Sequence, residues 1–222
     1  MGKGSFGSRL IGGVDEAGRG CLLGPLVVAG VSVTKDGAKA LRDLGVKDSK
    51  LLSRKRREKM SVEIEALCER VHLERIPPAE IDKVVLAGRR LRRLNYLEAL
   101  YFARVIDRLD AWKTTVDAAD VIPRRFRDQI SRNLSSPCSV RAAHRADSNV
   151  PVVSAASILA KVDRDRQVAA LREKHGDFGT GYPSDPVTRA FFIDAIKKGE
   201  PLPACIRRSW KSWDRLHLEA AK

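Results

Sequence analysis

The chain has 222 residues, enough for one domain with a sizeable core or one domain with a small appendage. Its 42 Lys and Arg against 28 Asp and Glu leave a formal net charge of +14, while 43% hydrophobic but only 5% aromatic residues fit an aliphatic α/β interior. The longest apolar run, 21–33, is broken by Gly24, Pro25, Gly30 and Ser32 and is too short for a helix that spans a bilayer. The charge calls for an anionic partner, with nucleic acid first and an anionic membrane surface second. Residues 1–8, MGKGSFGS, read as a flexible leader without the apolar segment of a signal peptide. Cys21, Cys68, Cys138 and Cys205 form no CxxC pair, so neither zinc nor a redox motif is indicated. Free thiols in a reducing cytoplasm are the resulting expectation, and the lack of a long coiled or exposed apolar stripe predicts a monomer.

Residues 9–16 and 26–33 are rich in Val, Ile and Leu around a Gly/Pro turn, and predict a pair of strands. A helix follows from Ser53, its N-cap, to about Arg70, with Met60, Ile64, Leu67 and Val71 at helical spacing and Cys68 in the core. Residues 71–76 read as a strand closed by Pro77-Pro78, and 90–110 as a long helix. Strands at 114–117 and 139–143 flank a helix at 123–133. Pro151 opens a long helix to about Lys174. Asp185-Pro186 is a cap and first turn for a helix closed by Gly199. The main domain, 9–200, is thus an α/β fold, a mixed sheet with helices on its faces, followed by a basic helical segment over 201–222.

Acidic residues recur at strand ends: Asp15 and Glu16 after the first strand, Asp117 closing "TTVD", Asp147 closing "HRAD". Strand ends of an open α/β sheet gather at one edge, so four carboxylates from distant positions can converge there. Such a cluster repels itself unless it holds a cation, and hard oxygen donors select Mg²⁺ or Mn²⁺. Two such ions beside a phosphodiester can activate water and stabilise the leaving oxygen. A lone strand-end Asp is more often a turn former, and Asp120 reads as one. Asp163 and Asp165, among Lys161, Arg164 and Arg166, read as a solvated helical face. Adjacent strand residues point to opposite faces, so Asp15 and Glu16 can share a metal only if the strand ends or bulges there.

"GVDEAGRG" (13–20), "KDSK" (47–50), "HRAD" (144–147), "VSAASILAKVDRDR" (153–166) and "GTGYPSDP" (179–186) together resemble ribonuclease HII, most closely its archaeal branch, over about 10–213. The resemblance implies an RNase H-like fold with a central mixed five-stranded sheet, flanking helices and a helical C-terminal part. It implies an endonuclease acting on RNA–DNA hybrids and on DNA duplexes containing ribonucleotides, with duties in primer removal and ribonucleotide excision. The implied ligands of two divalent ions are Asp15, Glu16, Asp117 and Asp147, with Asp117 chosen over Asp120 as the strand-ending residue of "DAAD". Gly18, Arg19 and Gly20 are implied to lay backbone against the ribose whose 2′-OH marks RNA, with Tyr182 stacking beside it. Ser49 and Lys50 are implied to approach phosphates. Ser154, nearer the helix N-terminus than Ser157, reads as a phosphate contact, against close packing by Ala and Ser as the alternative.

The runs at 54–57 and 89–93, with Arg207, Arg208 and Lys211, suggest a phosphate-tracking surface. Trp210 and Trp213 read as anchors of the C-terminal helix, and His144 as a neighbour of Asp147 without a metal-binding role. "SWKSWDRLHLEAAK" lacks the paired aromatics of a sliding-clamp tail, so the motif for that partner is not evident. Three rivals remain: another RNase H-fold nuclease such as an integrase or resolvase, the related ribonuclease HIII, and a non-catalytic nucleic-acid-binding protein. The first has no need of a 2′-OH sensor. The second usually carries an extra N-terminal domain, and the third has no reason to align four acids.

Overall fold

The computed structural model describes residues 9–47, 52–87, 90–199 and 203–221. Strands β1 (Ile11–Ala17), β2 (Leu26–Val33), β3 (Arg70–Ile76), β4 (Lys113–Asp117) and β5 (Ser139–Ala143) form a mixed sheet in the order β3-β2-β1-β4-β5. β1 pairs parallel with β4 from Ile11↔Lys113 to Val14↔Val116, and β4 parallel with β5 from Lys113↔Ser139 to Asp117↔Ala143. All eight residues of β2 are buried. Its unbroken apolar run suits a strand covered on both faces.

The helices are α1 (Lys35–Asp43), α2 (Arg54–Leu67), α3 (Pro78–Leu86), α4 (Arg90–Leu109), α5 (Pro123–Arg132), α6 (Pro151–His175), α7 (Pro186–Lys198) and α8 (Lys211–Ala220). Two were not expected. α1 buries only Leu41 and so shows no apolar stripe; it starts where the Thr34 side chain accepts the Gly37 N–H at 3.1 Å. α3 begins at the Pro77-Pro78 pair that closes β3, because proline stops a strand yet fits the first helical turn. α2 stops at Leu67, short of Arg70. Cys68 is its extended, half-buried cap rather than core, and the next N–H, of Glu69, donates to the Ser32 carbonyl at 2.9 Å as β3 begins.

The chain divides into two compact units. The first comprises the described residues of 1–16, 28–74 and 98–162. Phe102 and Phe126 meet edge to face at 5.1 Å in its core. β1 and the start of α6 touch backbone to backbone: a Cβ on Gly13 would lie 2.3 Å from the Val152 carbonyl carbon and 2.5 Å from the Val153 nitrogen. Residues Pro151–Ala160 are buried throughout, as the small side chains of "VSAAS" permit.

The second unit comprises the described residues of 17–27, 75–97 and 163–222. Its core contains Leu22, Leu23, Val168, Phe178, Phe192, Ile206, Trp213 and Leu216. Trp213 meets Phe192 at 5.7 Å and anchors α8 as expected. Two sequence expectations are corrected here. Asp163 is no solvated residue: it is buried and takes a two-pronged bond from Arg75, at 2.8 and 2.6 Å. Arg207 is no phosphate-tracking surface residue: it is fully buried, donating to the carbonyls of Gly24, at 3.1 and 2.9 Å, and Arg19, at 3.0 Å. Both changes follow from partners that lie far away in sequence, a guanidinium for Asp163 and carbonyls for Arg207. Arg208 and Lys211 are exposed.

Gly13→Ala should cost about 3 kcal/mol or more, because the methyl meets backbone that no rotamer change can move. Urea unfolding measures it, and a wild-type midpoint would show that β1 and α6 are not in contact.

Candidate active site

Asp15 lies one residue beyond the last β1–β4 pair, Val14↔Val116, and Asp117 one residue beyond it on β4. Parallel pairing therefore brings the two to the same sheet edge. β1 runs on through Glu16 to Ala17, but its pairing with β4 ends at Val14. Asp15 is buried, Glu16 half-buried, and the Glu16 N–H donates to Asp15 Oδ1 at 2.8 Å. Beyond β5 the chain turns at Arg145, which takes a left-handed conformation with φ 55°. That turn opens a short 3₁₀ segment, Ala146–Ser148, and lets the Ala146 N–H donate to Asp117 Oδ1 at 2.8 Å. Asp147 is thereby buried on the segment tied to Asp117. A non-glycine residue held left-handed costs about 1 kcal/mol or more, which the Asp117 bond helps to offset.

The first unit thus brings Asp15, Glu16 and Asp117 into electrostatic reach of one another. Burial raises the Asp15 pKa well above the usual carboxylate value, and the charges of Glu16 and Asp117 raise it further. A hydrogen bond from Ser157 opposes the rise. Lys161 Nζ donates to Ser157 Oγ at 2.8 Å, which leaves the single hydroxyl proton for Asp15. Ser157 and Lys161 were not among the expected site residues, although their i, i+4 spacing on α6 was a readable signal. Ser154, expected to contact phosphate, is fully buried instead. Its hydroxyl donates to the carbonyls of Asp147 and, at 3.1 Å, Val150, so it holds the Asp147 turn. Asp120 is the turn former expected: it takes the Ile122 N–H at 2.9 Å and a fork from Arg125. His144 is exposed, its ring 3.3 Å from the Val121 carbonyl. Ser49 and Lys50 lie outside the described residues.

The second unit holds the remaining candidates together. Gly18 has φ 87° and Gly20 is exposed. A Cβ on Gly20 would stand 3.9 Å from the Tyr182 ring, so turn and ring are neighbours. Arg19 donates to Asn95 Oδ1 at 2.6 Å, and the Leu22 N–H to the Gly181 carbonyl at 2.8 Å. Asp185 stitches the tyrosine loop by accepting from the Thr180 N–H and hydroxyl and the Val187 N–H. Those bonds, the Thr180 N–H foremost, hold its pKa down to about 2. Burial, and then the Cys21 side chain, push the Tyr182 hydroxyl up to about 12, so it stays a neutral donor at any working pH.

The donor set of the first unit is hard oxygen, crowded and anionic, which is what a divalent cation of the Mg²⁺ type relieves. Among the described residues no group of three or more His, Cys, Asp or Glu side chains is placed to hold a metal ion.

The ribonuclease HII family model matches residues 12–213. The chain is 48% identical over 202 residues to a ribonuclease HII of Cenarchaeum symbiosum, covering 91% of this chain and 95% of that one. Its fold superposes on the ribonuclease H2 of Pyrococcus horikoshii with a TM-score of 0.86 at 38% identity, covering 96% and 99% of the two chains. It is also similar to the ribonuclease HII of a PCNA:RNase HII complex from Archaeoglobus fulgidus, with a TM-score of 0.84, 42% identity and coverage of 93% and 96%.

In metal-free protein the raised Asp15 pKa means that the folded chain holds this proton more tightly than the unfolded one. Its contribution to stability is therefore lost as pH climbs from the ordinary carboxylate range through the raised value. Asp15→Asn should melt a few degrees above wild type near pH 8, with the gap closing toward about pH 5. Equal melting temperatures across that range would show that the carboxylates do not crowd one another.

Proposed function

The chain belongs to the ribonuclease HII family and is a ribonuclease H; on that premise we propose that it cuts the RNA strand of RNA–DNA hybrids and the 5′ side of ribonucleotides embedded in duplex DNA. The observation that carries this reading is the buried Asp15 on β1, just past its last pairing with β4 and crowded by Glu16 and Asp117 in a protein of net charge +14. Asp15, Glu16, Asp117 and Asp147 hold two Mg²⁺ or Mn²⁺ ions. Such ions, when bound, make a nucleophile of water at neutral pH and neutralise charge on the phosphate and the leaving oxygen. Water oxygen bonds to phosphorus, the bond to O3′ of the nucleotide on the 5′ side breaks and that oxygen takes up a proton, so the products carry a 5′-phosphate and a 3′-hydroxyl.

The chain's own groups divide the remaining work. Lys161 and Ser157 keep Asp15 oriented, and Ser154 fixes the turn that presents Asp147. Gly18, Arg19 and Gly20 offer backbone to the ribose, glycine leaving no side chain in the way. Tyr182 stacks on the sugar that follows. Ser49 and Lys50 bind phosphate, as do the exposed basic residues Arg54, Lys55 and Arg56. Primer removal and ribonucleotide excision are the duties that suit this activity. A sliding clamp is a further partner supported by the similarity to the protein of the PCNA:RNase HII complex alone, since residues 209–222 lack paired aromatics. Among the described residues no helix is long and apolar enough to cross a membrane.

The deciding experiment is cleavage of a DNA duplex carrying one ribonucleotide, in Mg²⁺ and in Mn²⁺, beside an all-DNA duplex and a long hybrid. Wild type should cut 5′ of the ribonucleotide and leave all-DNA intact, and Asp15→Asn should lose more than about 100-fold of the rate. Cleavage confined to the long hybrid would remove the junction role of Gly18–Gly20 and Tyr182 while keeping the nuclease. Tight binding without any cleavage would favour a non-catalytic nucleic-acid-binding protein.

A further inference from the structure

Arg164 lies on α6 with 6% exposure. One guanidinium nitrogen, Nη2, donates to the Thr180 carbonyl at 2.5 Å and to Cys21 Sγ at 3.0 Å. The other, Nη1, donates to Asp165 at 3.2 Å. The guanidinium carbon stands 4.8 Å from the centroid of the Tyr182 ring. Two glycines leave it room: a Cβ on Gly18 would lie 3.3 Å from Arg164 Cγ, and one on Gly181 3.4 Å from Nη2. The same thiol that Arg164 bonds is hydrogen-bonded to the Tyr182 hydroxyl. One buried cation therefore touches the glycine turn at Gly18 and Cys21 and the tyrosine loop at Thr180, Gly181 and Tyr182. It covers part of the Tyr182 ring, which remains 36% exposed.

A buried guanidinium is costly unless its donors are used. Among the described residues Arg164 Nε is buried and has no hydrogen-bond partner. Stability alone would favour an apolar side chain here, so the cation is better understood by what it aligns. Only arginine combines a flat surface for an aromatic ring with donors that diverge in the same plane; lysine supplies the charge without the plane.

We propose that Arg164 is the positioning residue that sets the Tyr182 ring against the Gly18–Gly20 turn, so that selection of the ribonucleotide–DNA step depends on a side chain that does not touch nucleic acid. This rests on the reading of Tyr182 given above. Disturbing Arg164 tilts the ring and moves the loop carbonyl of Thr180, while the carboxylates that carry the hydrolysis are untouched. Selectivity falls and cleavage of long hybrids persists.

The test uses the full chain labelled with 3-fluorotyrosine, with the Tyr182 fluorine resonance assigned by its loss in Tyr182→Phe. Selectivity is the ratio of kcat/KM for a duplex with one ribonucleotide to that for a long hybrid. Arg164→Lys should shift or broaden the Tyr182 resonance and lower the ratio about 10- to 100-fold. Combined with Tyr182→Ala it should lower the ratio no further than Tyr182→Ala alone. Cys21→Ala, which removes one partner of Arg164 and of the hydroxyl but no charge, should move the same resonance and lower the ratio by a smaller factor. It decides the matter if the Arg164 variant does not fold, as judged by thermal unfolding. An unmoved resonance overturns the proposal. So does a moved resonance with an intact ratio where Tyr182→Ala abolishes the preference. Were Tyr182→Ala itself to leave the ratio unchanged, the reading of Tyr182 would fall and the proposal with it, and the resonance would separate that failure from a ring that Arg164 never held.

Discussion

Three strands, β1, β4 and β5, run parallel, and parallel strands all end at the same edge of a sheet. Every acid at a strand end is then forced toward the others. Val14↔Val116 is the last pair of the β1–β4 register, so Asp15 and Asp117 emerge side by side, and Asp147 follows on the turn after β5. Burial adds to the repulsion, since removing a carboxylate from water already disfavours its charge. The local features of this region answer that load. Gly13 lets β1 approach the α6 backbone, Ser157 gives Asp15 a donor, Lys161 fixes the direction of that donor, and Arg145 adopts a left-handed turn so that Ala146 can bond Asp117.

A second theme is the inward use of positive charge. In the second unit Arg207 donates to the backbone of Arg19 and Gly24, Arg75 clasps Asp163, and Arg164 joins the turn to the tyrosine loop. In the first, Arg125 holds the buried Asp120. These arginines belong to the framework: Arg75, Arg125 and Arg164 each face a carboxylate, and Arg207 is held by carbonyls. Arginine suits such positions because its planar fork matches carboxylates and paired carbonyls and stays charged when buried.

Much of the fold was legible. The five strands fall within two residues of their expected places; β1 and β2 are aliphatic runs around a Gly/Pro turn, and β3, β4 and β5 are short segments containing β-branched residues. α1 and α3 escaped notice, one for want of an apolar stripe and the other because two prolines read as an end when they were also a beginning. Among the site residues, Gly20 and Tyr182 are neighbours, and the Ser154 hydroxyl is spent on backbone carbonyls while Ser157 bonds Asp15. Both serines are buried on α6, three residues apart. Which of them meets Asp15 depends on how the helix is rotated about its own axis, and that is settled by the close approach at Gly13.

The sequence by itself determined the chemistry on offer: carboxylates at strand ends, a glycine turn next to them in the chain, and a basic composition. Residue types and their order along the chain are enough for that, since hard anionic ligands and side-chain-free turns have few other uses in such a combination. Only the tertiary structure decided the burial and partners of each charged group. Asp163 and Arg207 read as surface residues because their neighbours in sequence are polar, yet each is buried by a partner brought from far along the chain. Desolvation and hydrogen bonding act through space, so a charge that looks solvated in one dimension can be the fixed point of a loop in three.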